Sequence, residues 1–179
     1  MDQTVVLTPL LCIKCSAPLP AEPDQAAWVC SVCGQANYLD EDKGLQPVQV
    51  FYASEIKPGA VGKPFWLAEG RVSVQRTTFG SAKNEQAQQF WTQPRRFFIP
   101  AYRASLEALL TRAGELIANP PAIQAGPQAR FEPVVLAMQD IQAAAEFIVV
   151  AIEAGRSDRL KTIDLKLQLS APVLWILPE

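Results

Sequence analysis

The chain has 179 residues, 49% of them apolar and 19% charged, with a formal net charge of −2. This is ordinary globular composition, which argues against a disordered chain, and no apolar run reaches the roughly 18 residues that a spanning helix needs. Histidine is absent, so the most common general base is missing and Ser-His-Asp and Cys-His arrangements are ruled out.

The N-terminus, Met1-Asp2-Gln3-Thr4, opens on an acid and lacks the basic region of a signal peptide, so secretion is not expected. All four cysteines then fall in two pairs, Cys12-Ile13-Lys14-Cys15 and Cys30-Ser31-Val32-Cys33, giving C-x2-C-x14-C-x2-C. In a non-secreted chain this is the spacing of a metal site. Two residues between cysteines let both sulfurs of a tight turn point at one ion. Two such turns complete a tetrahedron with metal–sulfur distances of about 2.3 Å. Gly34, directly after the last ligand, relaxes the backbone so that amides turn toward the sulfurs. The expectation is a zinc ribbon holding one structural Zn2+ through Cys12, Cys15, Cys30 and Cys33, with no open coordination position. A module this small folds on the roughly 10–16 kcal/mol of metal binding rather than on its own core. Redox dithiols, an iron–sulfur cluster or two disulfides are the competing readings. Redox CxxC motifs usually sit singly at a helix start, whereas here two pairs face each other. The same cysteine usage points to a reducing compartment, the cytoplasm.

The acidic turn Asp40-Glu41-Asp42-Lys43-Gly44 closes this module, so a ribbon domain is expected over 1–44 and a second domain over 45–179. Residues 46–53, with Val48, Val50, Phe51 and Tyr52, predict a strand. Residues 64–75 predict a longer one with a bulge at Gly70, and the two are expected to pair antiparallel. Residues 80–89 read as a surface loop or short helical turn, and 95–102 as an aromatic strand. Over 103–118, Leu106, Leu109, Leu110, Ala113, Leu116 and Ile117 recur at helical spacing, and Asn119-Pro120-Pro121 ends the helix. A second helix over 139–154 places Ile141, Ala144, Ala145, Ile148, Val149 and Ile152 on one stripe, which Phe147 and Val150 widen. Gly155 is its stop, and it should be the more deeply buried of the two. Residues 162–169 alternate as a half-buried strand, and 171–177, with Trp175, predict a last one. The pattern is α+β: an N-terminal zinc ribbon followed by a mainly antiparallel sheet with two helices.

Charge divides along the chain. Residues 1–45 carry Asp2, Glu22, Asp24, Asp40, Glu41 and Asp42 against Lys14 and Lys43. Residues 71–112 carry Arg71, Arg76, Lys83, Arg95, Arg96, Arg103 and Arg112 against Glu85 and Glu107. The two regions could face one another, or the basic one could serve an anionic partner. Four thiolates around Zn2+ add about −2 to the acidic module, which repels phosphate. Nucleic-acid binding would therefore fall to Arg71, Arg76, Arg95, Arg96 and Arg103 with their aromatic neighbours. No glycine-rich phosphate loop occurs and no thiol is left over as a nucleophile. The carboxylate pairs Asp140 with Glu146, and Asp158 with Asp164, have simpler roles as a helix N-terminal charge and as solvated loop acids. Trp66, Trp91, Phe98, Tyr102 and Trp175 are candidate interface anchors. The binding candidates are thus Trp66, Arg71, Trp91, Arg95, Arg96 and Tyr102.

Two segments carry a resemblance: Pro64-Phe65-Trp66-Leu67 running into Val72-Ser73-Val74, and Trp91-Thr92-Gln93-Pro94-Arg95-Arg96-Phe97-Phe98-Ile99-Pro100-Ala101-Tyr102. With the ribbon they resemble bacterial proteins in which a zinc ribbon precedes a β-rich domain with a "P-F-W" strand, some of them similar to components linked to envelope stress and membrane scaffolds. This chain lacks the membrane-spanning segments many of those carry, and only the four cysteines carry over as functional residues. The resulting expectation is a non-enzymatic adaptor or assembly subunit acting through another protein or a multi-subunit assembly. A nucleic-acid-binding module on the 71–112 segment is the alternative.

Overall fold

A computed structural model describes residues 9–20, 22–79 and 84–179; the N-terminal tetrapeptide, Lys83 and the start of the 80–89 segment lie outside the described residues. The fold is α+β. A three-stranded antiparallel sheet of β1 (Ala27–Val29), β2 (Ala36–Asp40) and β3 (Gly44–Val48) carries the cysteines at its N-terminal end. A second, larger sheet contains β4 (Val50–Tyr52), β5 (Val61–Thr78), β6 (Arg95–Pro100), β7 (Arg130–Phe131), β8 (Leu160–Leu169) and β9 (Val173–Leu177). Its helices are α1 (Asn84–Trp91), α2 (Leu106–Ala118) and α3 (Ile141–Ala154).

Strand β5 is the spine of the larger sheet. Its first half has β9 on one edge and β6 on the other, and its second half pairs with β8. Both faces of the first half are covered, so Phe65 and Trp66 are buried although they point to opposite sides. In the second half the pattern becomes strictly alternating, with Val72, Val74 and Arg76 inward and Arg71, Ser73, Gln75 and Thr77 outward. Gly70 marks the change of partner, opposite Arg95 of β6 and Leu169 of β8. The irregularity expected there falls instead between Thr77 and Thr78. Gly70 is required for a different reason, because a Cβ there would stand 2.4 Å from Cε2 of the buried Phe97 ring.

The expected 46–53 strand is divided in two. Its first part lies in the ribbon sheet as β3, paired with β2, which carries that sheet through Val48. Its second part, β4, does not pair with β5 but runs parallel to β9, with Phe51 opposite Trp175 and the two rings stacked at 5.1 Å. A chain-terminal strand has intervened between two segments that sequence proximity would have paired. Among the described residues there are three α-helices: the two expected, and a third in the stretch read as a surface loop or short helical turn. The additional one, α1, turns inward Ala87 and Trp91.

Helix α2 begins at Leu106, the first residue of its apolar periodicity, three residues after the expected start at 103. Ser105 is extended (φ −65°, ψ 148°), and its Oγ accepts the Ala108 amide as an N-cap. Helix α3 buries Ile141, Ala145, Ile148, Val149 and Glu153, the more deeply packed of the pair as expected. Phe147, however, does not widen the inward stripe. It lies on the far side of the helix and is 64% exposed, since about 3.6 residues per turn carry position 147 well away from 141, 145 and 148. Gly155 ends the helix in a right-handed conformation (φ −72°), and the left-handed turn comes later, at Arg159 (φ 50°).

The main core joins both sheets. Ala27 and Trp66, Phe97 and Ile99, Ile117, and Val134 and Val149 all belong to one buried cluster. The ribbon is tied to this core by the Ala26 amide donating to Val134 O at 2.7 Å.

Candidate metal centre

Each cysteine pair sits on a tight turn of the same design. In the first, the Cys12 amide donates to Ala17 O at 2.8 Å and the Ser16 amide to Cys12 O at 2.8 Å. In the second, the Cys30 amide donates to Gln35 O at 2.9 Å and the Gly34 amide to Cys30 O at 2.9 Å. The residue after each second cysteine is left-handed: Ser16 at φ 58° and Gly34 at φ 72°. Glycine is suited to that position; serine bears the strain of it.

The two turns bring the four sulfurs together. All four Sγ atoms lie within 4.8 Å of one another, and the cross-turn pairs Cys12–Cys33 and Cys15–Cys30 are each 3.6 Å apart. A tetrahedral ion with bonds of about 2.3 Å requires sulfur separations of about 3.8 Å, so the ring is the right size for a metal and too wide for disulfides, whose sulfurs are about 2 Å apart. The four cysteines are therefore positioned to hold one metal ion and fit a zinc-ribbon-like motif.

Backbone amides line the sulfurs. Burial raises the Cys12 thiol, but the amides of Lys14 and Cys15 and the neighbouring thiols stabilise its anion and bring it down to about 6. The amides of Cys33 and Val32 lower the Cys30 thiol. At Cys15 the Ala17 amide lowers the thiol, yet sharing protons with Cys33, Cys30 and Cys12 outweighs it and pushes Cys15 up to about 12. As free thiols Cys12, Cys15 and Cys30 thus hold their protons unequally, and a metal ion that takes them as thiolates removes that competition.

Asn37 completes the site and was not singled out from the sequence. It is fully buried; its Nδ2 lies 3.9 Å from Cys12 Sγ and donates to Gln35 O at 2.9 Å, while its Oδ1 accepts the Ile13 amide at 3.3 Å. One side chain thereby clamps both turns. The sequence signal was faint: a polar residue at an inward position of a strand four residues after the last cysteine.

No family model, curated protein or solved structure matches the chain. The zinc-ribbon-like motif therefore rests on the four cysteines themselves, and the likeness drawn from the 64–74 and 91–102 segments has no matching relative behind it.

The other candidate residues are not gathered at one place. Trp66 is 0% exposed, with its Nε1 donating to Leu136 O at 2.9 Å, and Trp91 is buried with its Nε1 on Glu153 Oε1 at 2.8 Å. Both indoles are core groups of this chain. Phe98 is likewise buried, and Trp175 and Tyr102 are half-buried, Tyr102 edge-on to Phe65 and under the Lys63 ammonium. Arg95 lies over the Phe90 ring and donates to Phe90 O. Arg103 turns to the ribbon, donating to Pro23 O at 2.6 Å with Asp24 at 3.8 Å, so one base of the basic stretch does face the acidic module. Arg71 and Arg96 are exposed on one face of β5 and β6, with Glu69 opposite Arg96.

Arg76 is not a surface base. Its guanidinium is buried between Glu153 of α3, 3.3 Å away, and Asp158 at 2.7 Å. Asp158 is accordingly a buried counter-charge and not a solvated loop acid, because a guanidinium in the core needs a carboxylate beside it. Asp164, its proposed companion, is exposed on β8. Among the described residues no helix is long and apolar enough to cross a membrane.

Proposed function

We propose that the chain is a non-enzymatic zinc-ribbon adaptor, a structural subunit that joins other proteins in the cytoplasm. The observation that supports this reading is a closed ring of four sulfurs whose turns end in apolar tips. Ile13 and Val32, one from each turn, are 46% and 72% exposed, and Leu11 is exposed nearby. Zn2+ suits such a ring, being borderline-soft and free of d-electron geometric preference. Four protein ligands leave no position for water or substrate, so the ion would hold the module's shape and leave its surface to act. Apolar side chains on a metal-braced turn lose little conformational freedom on docking, which favours a protein partner over phosphate.

Metal analysis of purified full-length protein should return one zinc per chain, and cobalt(II) substitution should give the visible absorption of a tetrahedral thiolate site. A tagged chain purified from its native host should retain a stoichiometric partner that Ile13→Glu with Val32→Glu releases at unchanged zinc content. A metal-free folded protein, or an iron chromophore, would overturn the zinc reading. A partner retained by the double variant would overturn docking at the ribbon tip. Affinity for single-stranded nucleic acid that falls steeply with salt would replace the adaptor reading by binding through the basic segment.

A further inference from the structure

Helix α3 is apolar on both sides. Its inner face packs Ile141, Ala145, Ile148 and Val149 into the core. Helical geometry places Ala143, Phe147, Val150 and Ala154 on the opposite side. Ala143, Phe147 and Ala154 are exposed and Val150 is half-buried, and no polar side chain interrupts the ridge they form. A helix apolar on two opposite sides has a second face to bury. Leu106, also 64% exposed, borders the same cleft as Phe147, so the apolar area continues onto α2.

We propose that a second copy of this chain covers the ridge, in a two-fold packing of α3 against α3 with the helices antiparallel. The ridge is its own complement. Its spacing of four, three and four residues reads the same in both directions. A two-fold axis at the level of residues 148 and 149 therefore sets Ala143 beside Ala154 of the partner subunit and Phe147 beside Val150 of the partner subunit. Alanines at the ends allow close approach of the helix axes, toward the short end of the usual range of about 8–10 Å, while the bulky pairs fill the middle.

Charge selects the same arrangement. Exposed Asp140 stands at the N-terminal end of α3 and Glu146 flanks the ridge, whereas exposed Arg159 follows the C-terminal end, where Arg156 is already paired with Glu153. Antiparallel pairing sets the acidic end of each helix against the basic end of the other and opposes the two macrodipoles; parallel pairing would set like ends together. This interface is independent of what the ribbon binds. A dimer built this way carries two ribbons and would make an adaptor bivalent.

Sedimentation equilibrium of the zinc-loaded full chain over about 1–100 µM tests the proposal. The expected result is a dimer whose dissociation constant rises about 100-fold or more in Phe147→Glu, since the two-fold places two altered side chains in one interface. Ala143→Glu should act in the same direction, and Val61→Ser, at an exposed apolar side chain at the far end of β5, should not. Circular dichroism and melting of each variant separate loss of dimer from loss of fold. Under mild oxidation, Ala143→Cys mixed with Ala154→Cys should cross-link between copies. Cross-linking confined to Ala143→Cys with itself would indicate parallel helices and overturn the geometry. A wild-type chain monomeric throughout the range, which would leave the ridge to a different protein, overturns the proposal, as does a dimer that survives both glutamate variants.

Discussion

Substitution of Glu153 is the most demanding test of the packing described above. This carboxylate is 0% exposed; it accepts hydrogen bonds from Trp91 Nε1 at 2.8 Å on Oε1 and from Arg156 Nε at 2.9 Å on Oε2, and it forms an ion pair with Arg76, whose Nε lies 3.3 Å from Oε2. It thereby links α1, α3 and the end of β5. Glu153→Ala would leave the Trp91 N–H without its acceptor and Arg76 with Asp158 as its remaining carboxylate, while Arg156, at 18% exposure, can turn to water. Each buried donor left unsatisfied costs about 1–3 kcal/mol, and breaking a buried ion pair from one side costs about 3–5 kcal/mol. Because the two figures count some of the same contacts, the expected loss is that of the broken ion pair, about 3–5 kcal/mol. For a chain of this length that is a fall in Tm of roughly 6–20 °C. Urea unfolding followed by tryptophan fluorescence measures it, with Trp91 itself as a reporter. Glu153→Gln keeps the volume and one acceptor for Trp91 but not the charge, and should cost about 1–3 kcal/mol. Arg76→Leu combined with Glu153→Leu should cost less than the sum of the two single changes, because neither charge is then left alone. A Glu153→Ala melt within about 2 °C of wild type would refute the network as a stabilising element.

Other expectations follow from the same geometry. Gly34→Ala should destabilise the metal-loaded ribbon by about 1–2 kcal/mol through backbone conformation alone, since an added Cβ meets nothing within 4 Å; Ser16→Gly, at the equivalent turn position, should be neutral or stabilising in thermal melts. Asn37→Ala should weaken zinc binding about 10- to 100-fold in competition with a chelator, because it removes the side chain that clamps both turns. Gly70→Ala should cost about 1–3 kcal/mol in urea unfolding, as Phe97 is buried and cannot move aside from the new methyl group.

Local signals in the sequence survived into the structure. The C-x-x-C pairs close on their own turns, so four residues spread over 22 positions converge once Asn37 of β2 ties the first turn to the turn between β1 and β2. The periodicities of α2, α3, β8 and β9 reflect burial of one face and were legible for that reason, although Ser105 moved the start of α2 by adopting an extended conformation. Helix α1 had no comparable pattern, because only Ala87 and Trp91 of its eight residues are buried.

What the sequence alone determined is therefore what near neighbours determine: the sulfur spacing, the apolar stripes, the α+β class. Tertiary structure decided which strands meet, placing β4 beside β9 across more than 120 positions rather than beside β5. It also decided which charges are buried, drawing Arg76, Glu153 and Asp158 together. Composition could not distinguish Arg76 from Arg71 five positions earlier on the same strand. The difference is a pleat: in the second half of β5 odd positions face outward and even positions inward, and whether an inward arginine is tolerated depends on carboxylates that arrive from much later in the chain.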